Sequence, residues 1–119
     1  MDIFDYVVVG AGAAGCVLTN RLTEDGVASV CVLEAGGNDR HPLISIPAGF
    51  VKTLYGDKFV WPFVTEPSEA LGGRTVAVPQ GKVVGGSSSI NGMVYNRGQA
   101  ADFDTWAQMG NRGWGFDDL

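Results

Sequence analysis

The sequence of 119 residues has a single histidine, two cysteines and no cluster of lysine or arginine. Each shortage excludes something. Eight Lys and Arg stand against thirteen Asp and Glu, for a net charge of −5. Without a basic face, a nucleic-acid partner is ruled against. Two cysteines, Cys16 and Cys31, do not make a disulfide framework; both lie in apolar segments and read as reduced core residues. The longest apolar run, Tyr6 to Leu18, is too short for a transmembrane segment. The residues before it carry Asp2 and Asp5 and no basic residue, the wrong charge for an export signal, so the reading is cytoplasmic. The lone His41 sits beside Pro42 with no acid partner in sequence reach, which suits a solvated or locally bonded imidazole and no catalytic role. No residue of the chain is assigned as catalytic or as a metal ligand.

What is present is glycine, 18 of 119 residues, where average usage gives roughly eight. At 45% apolar and 18% charged the chain is a folding one, and its length suits one domain. The glycines show no collagen-like period and need local explanations. Asp5 to Val9, DYVVV, reads as a buried parallel strand. It runs into Gly10-Ala11-Gly12-Ala13-Ala14-Gly15, the pattern G-x-G-x-x-G. A helix is expected from about Ala13 to Asp25, with Ala14, Leu18 and Leu22 on one face and Gly26 as C-cap. A second strand is expected at Ser29 to Leu33, ending at Glu34.

In a dinucleotide-binding βαβ unit Gly10 makes the tight turn. Gly12 lets backbone approach a pyrophosphate, and Gly15 lets helix and strand pack closely. The helix N-terminus offers free N–H groups to the phosphates. Glu34, 34 − 15 = 19 residues past the last glycine, is placed to hold a ribose hydroxyl. An acid there argues against a 2′-phosphate and hence NADP. This segment suits NAD and FAD equally.

A second glycine-rich block runs from Gly81 to Gly98, GKVVGGSSSINGMVYNRG. Gly85-Gly86-Ser87-Ser88-Ser89 reads as a loop opening a helix with a serine N-cap, able to present bare N–H groups to a flat ring or a pyrophosphate. Between the blocks, residues 37–80 hold all five prolines and many aromatics, with one short strand plausible at Lys58 to Thr65 and interrupted by Pro62. Ala100 to Gln108 reads as a helix with Phe103, Trp106 and Ala107 on a core face, Asp102 and Asp104 near its start and Gly110 as cap.

DYVVVGAGAAGCVLTNRL, VLEAGG, the Trp-Pro-Phe-Val-Thr-Glu-Pro segment, GKVVGGSSSINGMVYNRG and DFDTWA together resemble the glucose-methanol-choline (GMC) oxidoreductases, among them bacterial choline and alcohol dehydrogenases. The resemblance implies an α/β fold, a Rossmann-like FAD-binding domain, with 1–119 as its amino-terminal part and 37–80 as an extended lid-like region. It implies that Gly10, Gly12, Ala13, Ala14 and Gly15 meet the FAD pyrophosphate, and that Glu34, followed by Ala35, lies at the adenosine ribose. Val83, Ser87, Asn91, Gly92, Met93 and Val94 would line the flavin end. Some members attach FAD covalently through a histidine in the second block; Ile90 occupies that position, so non-covalent FAD is expected. The family's catalytic histidine and substrate domain lie far beyond Leu119, so 1–119 alone is expected to be inactive and poorly folded. The implied whole-protein reaction passes hydride from an alcohol carbon to flavin, with an electron acceptor or oxygen reoxidising it. A hydroxynitrile-lyase-type member or a non-catalytic FAD-binding fragment remain the alternatives.

Overall fold

The computed structural model describes residues 2–119. Strand β1 (Tyr6–Val9), helix α1 (Ala13–Leu22) and strand β2 (Val30–Leu33) form a βαβ unit in which the strands pair in parallel, Tyr6 opposite Val30 and Val9 opposite Leu33. The β-branched runs favour the extended backbone. Polar contacts fix the register at both ends. The Asp5 carboxylate accepts from the Ser29 amide at 2.8 Å and the Ser29 hydroxyl at 2.6 Å. These bonds, the hydroxyl first, hold its pKa below the usual carboxylate value. At the far end the Gly10 amide donates to the Leu33 carbonyl at 2.7 Å.

Helix α1 ends at Leu22 and not near Asp25 as expected. The Thr23 hydroxyl bonds back to the Thr19 carbonyl at 2.8 Å and the Gly26 amide to the Thr23 carbonyl at 3.0 Å, which closes the chain into a turn. Gly26, at φ 71°, reverses the chain three residues beyond the cap.

The segment 37–80 is more regular than its prolines suggest. It carries α2 (Pro42–Ser45), a 3₁₀ turn at Pro47–Gly49, α3 (Phe50–Thr53), β3 (Val60–Val64), a second 3₁₀ turn at Glu69–Leu71 and most of β4 (Ala77–Gly81). Strands β3 and β4 form an antiparallel ribbon with Pro62 opposite Pro79. Pro62 does not interrupt its strand. In a two-stranded ribbon each strand has a free edge, and a residue without an N–H is tolerated on that side. The β4 sequence, AVPQG, gives no strand signal of its own.

The core lies between this segment and the second glycine block. Phe59, Val60, Val83 and Ile90 are buried together, with Leu43, Ile44 and Leu54 packed against them. Thr53, fully buried, satisfies its hydroxyl on the Phe50 carbonyl at 2.7 Å. The expectation of a buried β1 is corrected: Val7 and Val9 are 59% and 83% exposed among the described residues. Two parallel strands and one helix leave a sheet face and an edge without neighbours. The cysteines are likewise not in the core; Cys16 is exposed and Cys31 half-buried, both free. The radius of gyration, 18.3 Å, exceeds the about 13–14 Å of a compact domain of this length.

The serine block also differs from expectation. Gly86–Ser89 is a 3₁₀ turn behind Gly85, with no side-chain cap and no helix after it. The Ser88 hydroxyl donates to the Gly85 carbonyl at 2.6 Å and that of Ser89 to the Val84 carbonyl at 2.8 Å. Turned back toward carbonyls behind them, these two hydroxyls cap no amide of the turn. Helix α4 (Ala100–Gln108) has the expected bounds, with Phe103 and Trp106 in edge contact at 5.3 Å. Its acids serve structure. Asp102 accepts from the Gln99 amide at 3.2 Å and Asp104 from the Phe116 amide at 3.0 Å. No helix among the described residues is long and apolar enough to cross a membrane.

Ile90 is 3% exposed at the centre of this small core. Ile90→Ala should cost about 2–3 kcal/mol, the lower part of the range for a buried Ile, because half-exposed neighbours can close in. Chemical denaturation of the full-length protein measures it; a cost below about 0.5 kcal/mol would contradict this core.

Candidate functional site

The site begins where β1 delivers the chain to Gly10, whose φ of 95° makes the turn into α1. Gly12 is the N-cap of α1, in extended conformation, with no side-chain cap and no acid in the first turn. The N-terminal amides of α1 therefore have no side chain competing with an external anion. Gly15 is required by packing: a Cβ there would fall on the Gly10 carbonyl oxygen and lie 3.3 Å from Val8 Cγ1.

The Ala11 peptide is held on both sides. Its amide donates to Glu34 Oε2 at 2.8 Å, and its carbonyl accepts from the Gly85 amide at 2.6 Å and the Cys16 thiol at 3.3 Å. Glu34 Oε1 accepts from the Gly36 amide at 2.8 Å. One carboxylate thus ties the end of β2 to the first glycine turn. Each oxygen still has a second lone pair for a hydroxyl donor. Gly86, at φ 58°, faces Gly12; a Cβ on Gly86 would stand 2.8 Å from the Gly12 Cα. The two glycine blocks, far apart in sequence, meet backbone to backbone. The Val84 amide extends the contact to the Gly37 carbonyl at 2.9 Å.

The predicted residues fall into two groups. Gly10, Gly12, Ala13, Ala14, Gly15 and Glu34 are brought together around the α1 N-terminus, and Ala35 continues the turn exposed to solvent. A groove of about 470 Å³ beside them is lined by Ala11, Cys16, Thr19, Asn20, Val32, Glu34 and Val84. In the second group, Val83 is fully buried and backs the wall from the core. The Ser87 hydroxyl accepts from the Gly81 amide at 2.9 Å and reaches Gln80 Oε1 at 3.3 Å. Asn91 accepts from the Met93 amide at 2.8 Å and donates to the Ser88 carbonyl at 3.1 Å. This turn sets Met93 at φ 56°, the one non-glycine residue with positive φ among the described residues. Gly92, Met93 and Val94 are exposed, Val94 at 86%. Backbone strain of this kind collects at ligand sites.

Sequence reasoning missed Gly86 as the partner of Gly12 and the Gly85 amide as a donor to Ala11. The GG pair was the available signal, but nothing in its spacing names what it packs against. The geometry fits an extended dinucleotide: an uncapped helix N-terminus for a pyrophosphate, a carboxylate at the end of β2, and an exposed strained backbone beyond it.

Comparison with known proteins gives the family. The GMC oxidoreductase family matches residues 4–119. An oxygen-dependent choline dehydrogenase of Vibrio vulnificus is 50% identical over 113 residues, 95% of this chain and 20% of that protein. The solved pyridoxine 4-oxidase of Mesorbium loti superposes with a TM-score of 0.82 at 38% identity, over 98% of this chain and 23% of the other. A formate oxidase of Aspergillus oryzae RIB40, studied for FAD modification, gives 0.82 at 33% identity, over 97% and 20%. The chain spans about a fifth of the length of the curated relatives it matches. With the family matched over nearly its whole length, and the α/β fold shared with the solved members, this chain belongs to the GMC oxidoreductases.

Proposed function

We propose that this chain binds FAD and forms the cofactor-holding part of an oxidoreductase that oxidises the CH–OH group of an alcohol. The observation that carries the reading is the α1 N-terminus, uncapped and opposed by Gly86, with Glu34 at the end of β2. When bound, FAD would supply hydride acceptance. The chain's own contribution is positioning and electrostatics. The amides of Ala13, Ala14 and Gly15 would face the pyrophosphate, and Glu34 would accept from a ribose hydroxyl while keeping its bonds to Ala11 and Gly36. The backbone of Asn91 to Val94, set by the Asn91 turn, would face the flavin. Choline and pyridoxine, named in two of the relatives, are alcohols, which supports an alcohol as donor, and the oxygen-dependent dehydrogenase and the oxidases support oxygen or another electron acceptor.

Non-covalent attachment is part of the proposal. Ile90 has no nucleophile, and its side chain is packed with Phe59, Val60 and Val83. Acid precipitation of the full-length protein should leave the yellow colour in the supernatant; colour in the pellet would refute this for the Ile90 position.

Glu34→Ala removes the tie to Ala11 and the expected ribose contact together. A hydrogen bond to a charged group contributes about 1.5–3 kcal/mol, so FAD should bind roughly ten- to a hundredfold more weakly. Equilibrium dialysis of the full-length protein measures this, and unchanged retention would remove Glu34 from the site. The activity itself is tested by adding choline, then pyridoxine, anaerobically to the yellow protein. Bleaching of the flavin band is expected. A band that no alcohol bleaches would overturn the oxidation reading.

A further inference from the structure

A second groove, of about 420 Å³, is lined by Gly37, Asn38, Arg40, His41, Lys58 and Phe59, and shares no residue with the groove beside Glu34. The chain is acidic overall, at −5, yet no carboxylate lines this groove, and its ionisable side chains are two cations and the sole histidine. Its hydrogen-bonding is one-sided. His41 Nδ1 accepts from the Leu43 amide at 3.2 Å, so that nitrogen carries the lone pair and the neutral ring bears its proton on Nε2. His41 Nε2 lies 3.1 Å from Lys58 Nζ, and an ammonium group has only donors. Swapping the tautomer would only move the conflict to the Leu43 amide, which is also a donor.

The other polar groups add donors. Asn38 Oδ1 is occupied by the Arg40 amide at 3.1 Å, which leaves its NH₂ as the free end. Neither Arg40 nor Lys58 has a carboxylate within 4.0 Å; the one ion pair among the described residues joins Arg21 and Glu24. The arrangement is also held in place. Phe59, 7% exposed, meets the His41 ring edge at 5.0 Å and carries the Lys58 ammonium 5.0 Å from its ring centroid. Donors crowded on a fixed platform, with no acceptor between them, are complementary to an oxyanion.

We propose that Arg40, His41 and Lys58 form an oxyanion-binding site, for a phosphate or carboxylate group, separate from the glycine turn of α1. The anion would bridge His41 Nε2–H and the Lys58 ammonium from the groove side and accept from both, with the Arg40 guanidinium and the Asn38 amide closing the rim. The site is independent of whether FAD occupies the first groove.

The test titrates inorganic phosphate, and separately acetate, into the full-length FAD-loaded protein by isothermal calorimetry at constant ionic strength. Saturable binding of either is expected, and the tighter of the two identifies the group as phosphoryl or carboxylate. Arg40→Gln with Lys58→Gln should weaken it about tenfold or more without changing flavin content. The charge-keeping pair Arg40→Lys with Lys58→Arg should retain most of it. No saturable binding of either anion would overturn the proposal. So would binding that the Gln pair leaves unchanged, or that the charge-keeping pair loses equally. Phosphate binding seen only in FAD-free protein would also overturn it, because the groove would then be taking the cofactor's own pyrophosphate.

Discussion

The structure turns on one close approach, the Gly86 backbone against Gly12, with the Ala11 peptide clamped between Glu34 and Gly85. The contact brings together two pieces of chain that have no other reason to meet. It depends on missing side chains: a Cβ on Gly86 would stand 2.8 Å from Gly12 Cα, and its φ of 58° disfavours any residue that has one. It also depends on a buried residue, Ala11, having both its backbone N–H and its C=O satisfied, since an unpaired one costs more than the bond contributes. Glu34 supplies the acceptor and Gly85 the donor. The first glycine turn is thereby fixed before any ligand arrives, which lowers the ordering cost of binding.

The small core serves the same contact. Val83 and Ile90 flank the Gly85–Ser89 stretch, and both are buried against Phe59 and Val60 at the root of the ribbon. The ribbon and the short helices of the proline-rich segment therefore anchor the second glycine block at each end. This explains why a stretch with five prolines is ordered. Its Phe59 and Val60 are half of the buried cluster among the described residues, Leu43, Ile44 and Leu54 pack against them, and the block they hold presses on α1.

What was legible in the sequence follows from how local each signal is. The βαβ order, the place of Glu34 and the bounds of α4 are carried by patterns in the sequence (a β-branched run, the glycine spacing and a helical repeat), so they were legible although β1 and β2 pair across the whole of α1. The β3–β4 ribbon was only half legible, because Ala77 to Gly81 carries a proline and a glycine and extends only by pairing with β3. The serine block misled for a physical reason: serine suits an N-cap, yet here Ser88 and Ser89 bond backward to carbonyls and close a 3₁₀ turn. The exposure of β1 was unreadable, since DYVVV states what a strand can bury and not what lies beside it. The pairing of His41 with Lys58 spans 17 residues with no pattern connecting them.

Side chains and backbone divide the work unevenly at the glycine blocks. Ser87, Ser88, Ser89 and Asn91 all spend their polar atoms on neighbouring backbone or on Gln80. The groups left facing outward are main-chain amides at the start of α1 and the exposed backbone after Asn91. Recognition built this way is insensitive to which rotamer a side chain adopts and sensitive to the path of the chain. The serines and the asparagine act as rivets. Asn91 is the clearest case, because its two bonds hold Met93 in a left-handed conformation that costs about 1–3 kcal/mol when nothing enforces it. Losing a rivet would move the backbone, and with it every amide aimed at the ligand, although the lost side chain need never touch the ligand itself.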